Sequence, residues 1–322
     1  MINVVLASPF RPEAEEIITR AGEGRCRFER ALPDTPPKEA AEIFSRADVV
    51  IGFAPPEALA AAKRLRWLQM TWAGVDAVAG RLPEGVILTN ASGAFGPVIA
   101  EHILACLLAL CRRLPAYARQ GKWRALGSEA TLEGRRALIL GAGDIGVCTA
   151  QRLRPFGTRC VGIRRVAREK PDCFNEMYTL EALDEQLALA DAVICCLPGT
   201  EQTRGLLNER RLLLMKPDAL LVNVGRGSLI DTPALERVLA SGRLFGAALD
   251  VTEPEPLPES SPLWAMDNVI ITPHVAGIGF GHLPETERRI AEICADNLRR
   301  FLDGMPLANI VDPALGYRRT VM

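Results

Sequence analysis

The sequence predicts an α/β protein made of two parallel-sheet domains, one inserted into the other. Three observations carry that reading. The 322 residues exceed what a single hydrophobic core usually organises. Short apolar runs alternate with stretches of helical periodicity along almost the whole chain, which is the pattern of repeated strand–helix–strand units. Two longer helical patterns abut the ends of a central stretch running from about Thr131 to His274, so the flanking parts can close into one domain.

Taken in order, the strand-like runs are residues 2–6, 48–51, 67–70, 86–88, 137–140, 159–163, 192–197, 220–224, 244–249 and 269–271. Strands covered by helices on both faces read as near-continuous apolar runs of this kind. Between them, residues 13–20, 145–156 and 233–240 carry apolar side chains at three- and four-residue spacing, the mark of a helix with one buried face. One long helical pattern covers about 97–119, with Pro97 suited to a first turn whose N–H needs no partner; the other covers about 284–302. The predicted layout is residues 1–96 with 284–322 as a discontinuous domain and 97–283 as the inserted one. Two crossings of the chain make a hinge, with a cleft between the halves. Residues 253–262 are rich in proline and acid, which stiffens this loop into a shaped wall.

Bulk composition narrows the function classes. A net charge of −1, with 48% hydrophobic and 24% charged residues, argues against nucleic acid or an anionic membrane as main partner. The longest apolar run, 103–110, is far short of a bilayer span, and the N-terminus reads as a first buried strand rather than a signal peptide. The nine cysteines include no C-x-x-C pair; Cys195 and Cys196, adjacent on a strand, would face opposite sides. They read as small buried hydrophobes of a reducing compartment, so the expected location is cytoplasmic. With three histidines and none at ligand spacing, no metal site is expected.

The segment Arg136 to Gly146 places Gly141, Gly143 and Gly146 after an apolar strand and at the opening of a helix. The first glycine allows a tight turn, the second lets backbone approach a pyrophosphate, and the third lets helix and strand pack closely. The helix N-terminus then offers N–H groups and a positive dipole end to the phosphates. Alone the pattern is weak; in this strand–turn–helix setting it points to a dinucleotide. An NAD site usually carries an acid about 20 residues on, on the ribose 2′-hydroxyl. Here the next strand ends in Arg164 and Arg165, whose guanidiniums suit a 2′-phosphate, so NADP is preferred, with NAD possible.

Three further apolar runs end in one ionisable group each: Arg226, Glu255 and His274. Carboxyl ends of parallel strands open on a common crevice where ligands bind. An arginine, a glutamate and a histidine there can anchor an anion, tune a proton and deliver it.

These residues resemble the D-isomer-specific 2-hydroxyacid dehydrogenase family, and within it the glyoxylate/hydroxypyruvate reductases. The match spans Trp72-Ala-Gly-Val-Asp76, Ile99-Ala-Glu-His102, Gly141 to Gly146, Leu197-Pro-Gly-Thr-Glu-Gln-Thr203, Lys216-Pro217, Asn223-Val-Gly-Arg-Gly227, Ala248 to Pro256, Pro273-His274 and Asn309-Ile-Val-Asp312. The resemblance implies a Rossmann-like cofactor domain inserted into a flavodoxin-like substrate domain. It implies hydride transfer to a small 2-oxo acid, giving the D-2-hydroxy acid, with His274 as proton donor, Glu255 rather than Glu253 as its partner, and Arg226 on the substrate. It puts the N–H groups of Ala73 and Gly74 on the substrate carboxylate. Asp144 and Ile145 fall on the pyrophosphate turn, and Leu197 and Pro198 beside the adenosine ribose. Val224 and Asp250 fall near the nicotinamide, and Gly225, Arg226, His274, Ala276 and Gly277 are counted among the cofactor contacts. Where NAD-using members carry an aspartate this chain has Arg164, and Gly277-Ile-Gly-Phe280 departs from a more polar stretch. A homodimer through the cofactor domain and its long helix is implied as well.

Blander readings stand beside these. Arg226 could serve a structural ion pair, Glu255 could be solvated, and His274 after a strand is as well explained by structure as by catalysis. His102 reads as a structural residue buried with Glu101 at the head of the long helix, His282 as exposed, and Trp264 as packed at the end of its loop. Trp72 and Phe53 read either as core or as walls of the substrate cleft, with the cleft favoured for Trp72. The loops around Phe53, Trp72 and Phe280 would set the size of the substrate space. The competing function is a dinucleotide-sensing binding protein without turnover; formate or phosphite oxidation is disfavoured, because a formate-type site pairs its histidine with glutamine by resemblance.

Overall fold

The computed structural model describes residues 1–75, 78, 81–277, 283–312 and 317–318. It divides into two compact units, Met1–Phe95 with Ile278–Met322, and Gly96–Gly277. Asp76, Phe280 and His282, which entered the sequence reading, lie outside the described residues.

The first unit begins with β1 (Ile2–Ala7), α1 (Pro12–Ala21), β2 (Cys26–Arg30), α2 (Pro37–Ser45), β3 (Val49–Gly52), α3 (Pro56–Ala61), β4 (Trp67–Gln69) and β5 (Ile87–Thr89). The second holds α4 (Gly96–Cys111), α5 (Leu114–Arg119), β6 (Arg136–Leu140), α6 (Asp144–Leu153), β7 (Arg159–Ile163), β8 (Glu176–Tyr178), α7 (Leu183–Leu189) and β9 (Ala192–Cys195). It continues with α8 (Glu209–Leu214), β10 (Leu220–Asn223), α9 (Thr232–Ala240), β11 (Gly246–Leu249) and β12 (Val269–Ile271). The chain then returns to the first unit with α10 (Pro284–Leu302), β13 (Val311–Asp312) and β14 (Tyr317–Arg318).

Among the described residues, one five-stranded sheet has the order β2-β1-β3-β4-β5 and one seven-stranded sheet the order β12-β11-β10-β9-β6-β7-β8. Every pairing within both is parallel, while β13 and β14 form a small antiparallel pair. The sheet centres follow from composition: β3, β9, β10 and β11 are buried at every position, as strands sandwiched between helices must be. In the larger sheet the strand order reverses between β6 and β9, which is where α/β sheets of this kind open a ligand crevice.

Helix ends follow local chemistry. Prolines begin α1, α2 and α10, acids occupy their first turns, and Asp231 caps α9 by accepting from the Ala234 N–H at 3.0 Å.

The single long helix expected over 97–119 is instead two. Pro115 has no N–H and its ring would clash with the carbonyl four residues back, that of Cys111. The helix stops there, the Ala130 N–H takes the Cys111 carbonyl at 2.8 Å, and Arg113 turns the chain with φ 51° before α5 begins.

Candidate active site

Strands β12, β11 and β10 are consecutive parallel neighbours, so the segments that follow them leave the same edge of the sheet. His274, Glu255 and Arg226 lie on those three segments. Asn223, the buried last residue of β10, shapes the arginine's turn: its Oδ1 accepts from the Gly225 N–H at 3.1 Å and its Nδ2 donates to the Arg226 carbonyl at 2.9 Å. A Cβ at Gly227 would fall 1.9 Å from the Thr252 carbonyl oxygen. Only glycine therefore lets the Arg226 segment press against the backbone that leads to Glu255. The Arg226 Nη1 donates to the Gly225 carbonyl at 2.8 Å.

His274 Nδ1 lies 2.7 Å from Glu255 Oε1, with both side chains about half exposed. Glu253, two residues earlier, pairs with Arg204 at 2.7 Å instead. His274 sits in the left-handed region at φ 56°, a conformation that costs a non-glycine residue roughly 1–2 kcal/mol. Asp250 holds it there. Its carbonyl accepts the His274 N–H at 2.9 Å, and its buried carboxylate accepts from Thr272 Oγ1 at 2.6 Å, Val275 N at 2.9 Å and Ala276 N at 3.1 Å.

His102 joins this cluster. Its Nε2 lies 3.4 Å from Thr272 Oγ1 and 3.5 Å from Cys106 Sγ, a thiol pushed up to about 11 by burial and then by Asp250. The expected pairing of His102 with Glu101 is replaced: Glu101 is exposed and faces Arg152 at 3.6 Å, because helix geometry turns adjacent residues to different faces.

Each fingerprint glycine has its own reason. Gly141 has φ 106°, and a Cβ there would come within 2.9 Å of the Cys196 carbonyl oxygen. A Cβ at Gly146 would fall 2.1 Å from the Gly141 carbonyl oxygen, while at Gly143 it would meet nothing within 4 Å. Gly143 is the N-cap of α6, so the open space beside it adjoins the start of the helix at Asp144, the end to which an anion is drawn. The Asp144 carboxylate turns the other way and accepts the Gly96 N–H at 2.8 Å, starting α4.

The loop after β9 carries Leu197 and Pro198. Leu197 Cδ2 would lie 3.3 Å from a Cβ at Gly141, and a Cβ at Gly225 only 2.5 Å from the Leu197 carbonyl oxygen. Val224 donates to the Cys195 carbonyl at 3.1 Å, while Ala276 is buried and Gly277 half-buried beyond His274.

At the end of β7, Arg164 is half-buried and its Nη1 donates to the Glu169 carbonyl at 3.1 Å; Arg165 is exposed. Burial and then the neighbouring Arg168 guanidinium lower the Arg164 pKa. Arg168 is a third cation that the sequence reading missed, since nothing local separates it from a surface arginine. Among the described residues, no three His, Cys, Asp or Glu side chains are grouped to hold a metal.

In the first unit, Trp72, Ala73 and Gly74 follow β4. Trp72, Phe53 and Ala73 are exposed and Gly74 is half-buried. Trp264, expected to pack, is instead exposed and donates from Nε1 to the Pro258 carbonyl at 3.0 Å.

Comparison with known proteins agrees with this architecture. Residues 104–276 match the family model described as D-isomer specific 2-hydroxyacid dehydrogenase, NAD binding domain. A glyoxylate reductase from Korarchaeum cryptofilum is 34% identical over 270 residues, covering 80% of this chain and 79% of the relative. A D-isomer specific 2-hydroxyacid dehydrogenase from Xanthobacter autotrophicus, solved with NADPH and MES, superposes with a TM-score of 0.82 at 32% identity, covering 98% of this chain and 99% of that one. An NADPH-dependent glyoxylate/hydroxypyruvate reductase from Sinorhizobium meliloti, solved with NADP and sulfate, gives a TM-score of 0.83 at 28% identity over 98% of this chain and all of its own, 100%. No helix among the described residues is long and apolar enough to cross a membrane.

Proposed function

This chain belongs to the D-isomer specific 2-hydroxyacid dehydrogenase family, and on that premise we propose that it reduces a small 2-oxo acid of the glyoxylate or hydroxypyruvate kind to the D-2-hydroxy acid, using NADPH. The observation that carries the reading is the His274–Glu255 pair at 2.7 Å on strand ends adjacent to the one that bears Arg226.

A carboxylate only accepts hydrogen bonds, so His274 Nδ1 is the donor to Glu255 and Nε2 is left to carry the transferable proton. The reduced nicotinamide, when bound, supplies the hydride for C2 of the oxo acid. His274 Nε2 gives its proton to the carbonyl oxygen as that oxygen becomes alkoxide. The imidazole left behind is neutral, and Glu255 keeps its ring oriented. Arg226 binds the oxo acid and stabilises charge gathering on the same oxygen. The N–H groups of Ala73 and Gly74 receive the carboxylate, and Trp72 offers an apolar wall.

The residues present fit the dinucleotide. Gly146 permits helix and turn to touch, Gly143 leaves the anion room, and Arg164, Arg165 and Arg168 gather positive charge at the end of β7, where a 2′-phosphate would neutralise it. That charge supports NADPH over NADH. The protein acts as a homodimer joined through the 96–277 unit, supported by the fully exposed Trp123 and the exposed Leu114 just past α4. A cytoplasmic location is supported by nine free thiols.

Following absorbance at about 340 nm with NADPH or NADH and a panel of 2-oxo acids tests the assignment. Decay with glyoxylate or hydroxypyruvate, faster with NADPH, is expected. Tight NADPH binding without decay on any 2-oxo acid would leave a non-catalytic binding protein.

A further inference from the structure

The loop after β4 makes two bonds to the loop after β5, and both use carbonyls of consecutive peptides. The Ala91 N–H donates to the Trp72 carbonyl at 3.0 Å, and Asn90 Nδ2 donates to the Ala73 carbonyl at 2.7 Å. In a trans peptide the N–H points opposite to the carbonyl. Turning both carbonyls toward residues 90–91 therefore turns the N–H groups of Ala73 and Gly74 together, away from that loop. Neither N–H has a hydrogen-bond partner among the described residues. Paired N–H groups of this sort form a concavity that binds anions.

Asn90 is itself held. It is buried, its Oδ1 accepts from the Ser92 N–H at 3.2 Å, and its N–H donates to the Asn309 carbonyl at 3.3 Å. Asn309, buried at φ 55°, donates from Nδ2 to the Ser92 carbonyl at 2.7 Å and the Asn90 carbonyl at 3.4 Å. One step further out, Asn297 on α10 grips Ala308 through both backbone groups, at 2.7 Å and 3.1 Å, and reaches Gln69 on β4 at 2.8 Å.

We propose that Asn90 is a positioning residue for recognition of the substrate carboxylate: it locks the Ala73–Gly74 peptide so that two N–H groups face the anion, and Asn309, on the C-terminal segment, braces it. The inference rests on the assignment of Ala73 and Gly74 to the carboxylate. It separates orientation of the substrate from proton transfer, which belongs to His274.

The test compares wild type with N90A, N90S, whose hydroxyl is too short to reach Ala73, and N309A. The readouts are KM and kcat for glyoxylate, the Kd of oxamate (an unreactive carboxylate-bearing mimic) at saturating NADPH, and the Kd of NADPH alone. N90A and N90S should raise KM and the oxamate Kd about tenfold, as for a weakened charge-assisted hydrogen bond, with kcat within about threefold and the NADPH Kd unchanged. N309A should give the same pattern at about threefold, which keeps the test open should the Asn90 variants fail to fold. An oxamate Kd at the wild-type value in the folded variants overturns the inference, as does an equal loss of NADPH binding. Wild-type protein that neither turns over a 2-oxo acid nor binds oxamate sinks the functional reading and the inference with it.

Discussion

Glu253 and Glu255 share one proline-rich loop, yet one meets Arg204 and the other His274. That difference yields opposite expectations for the same substitution. Glu255→Gln removes the negative charge that faces the imidazole and leaves only a neutral amide oxygen to accept from it, and kcat should fall about 10- to 100-fold in steady-state assays. Glu253→Gln breaks an exposed ion pair worth about 0–1 kcal/mol and should leave kcat and KM near wild type. Equal behaviour of the two variants would remove the distinction between them. Gly227→Ala is the severest small change available: its methyl would overlap the Thr252 carbonyl, so the Arg226 and Glu255 segments must part. Activity should drop more than for Glu255→Gln while NADPH still binds. The three fingerprint glycines were legible because they fill a turn whose pattern is local, and Arg226 and His274 because each shortly follows an apolar run, whereas Glu255 was singled out by family resemblance. Asn90, Asn223 and Arg168 were not assigned roles, because what gives each its meaning is a partner that only folding brings near.

The same division between local and assembled signals holds for elements. Strands with apolar sequences announced themselves, inside a sheet or at its edge; the residues expected for β7, an inner strand, and for β12, an edge strand, coincide with those observed. The edge strands β2 and β8 escaped notice. Each pairs on one side only, keeps half-exposed positions and carries charge, as in Cys26–Arg30 and Glu176–Tyr178. The edge at β8 is tied down electrostatically. Glu176 accepts from Arg136 on β6 at 2.7 Å, Arg159 on β7 at 2.8 Å and Tyr178 at 2.7 Å. The Arg136 guanidinium, foremost, holds its carboxyl at about 2. A carboxyl held below its unfolded value stabilises the fold above that value, near 4.3, and the stabilisation is lost as pH falls through about 2. Glu176→Gln should therefore cost about 1–2 kcal/mol at pH 7 in denaturant melts. The gap from wild type should narrow below about pH 4 and close near pH 2. A gap constant with pH would mean that the charge is not what secures this edge.

The two units differ in how the chain builds them, and that difference governs which can exist alone. Residues 96–277 are contiguous and contain all seven strands of the larger sheet, with the apolar cluster around Leu138, Val193, Leu221 and Leu235 closed among themselves. The first unit needs both ends of the chain: α10 packs on α1, and its Ile290 and Leu298 are fully buried. Losing those two side chains from the core would forfeit about 3–6 kcal/mol, comparable to the whole stability of a domain at about 5–15 kcal/mol. Loss of Asn297 would also leave Gln69 without its buried partner. The fragment 96–277 should therefore fold alone, melt cooperatively by circular dichroism and bind NADPH, read as nicotinamide fluorescence, with no turnover of a 2-oxo acid. NADPH at 100 times its Kd should stabilise it by about 2.7 kcal/mol. The fragment 1–95 should be unfolded until a peptide spanning 283–312 is supplied in trans. A folded 1–95 would show that α10 closes the unit without creating it, and a 96–277 fragment unable to bind NADPH would move part of the dinucleotide site outside that unit.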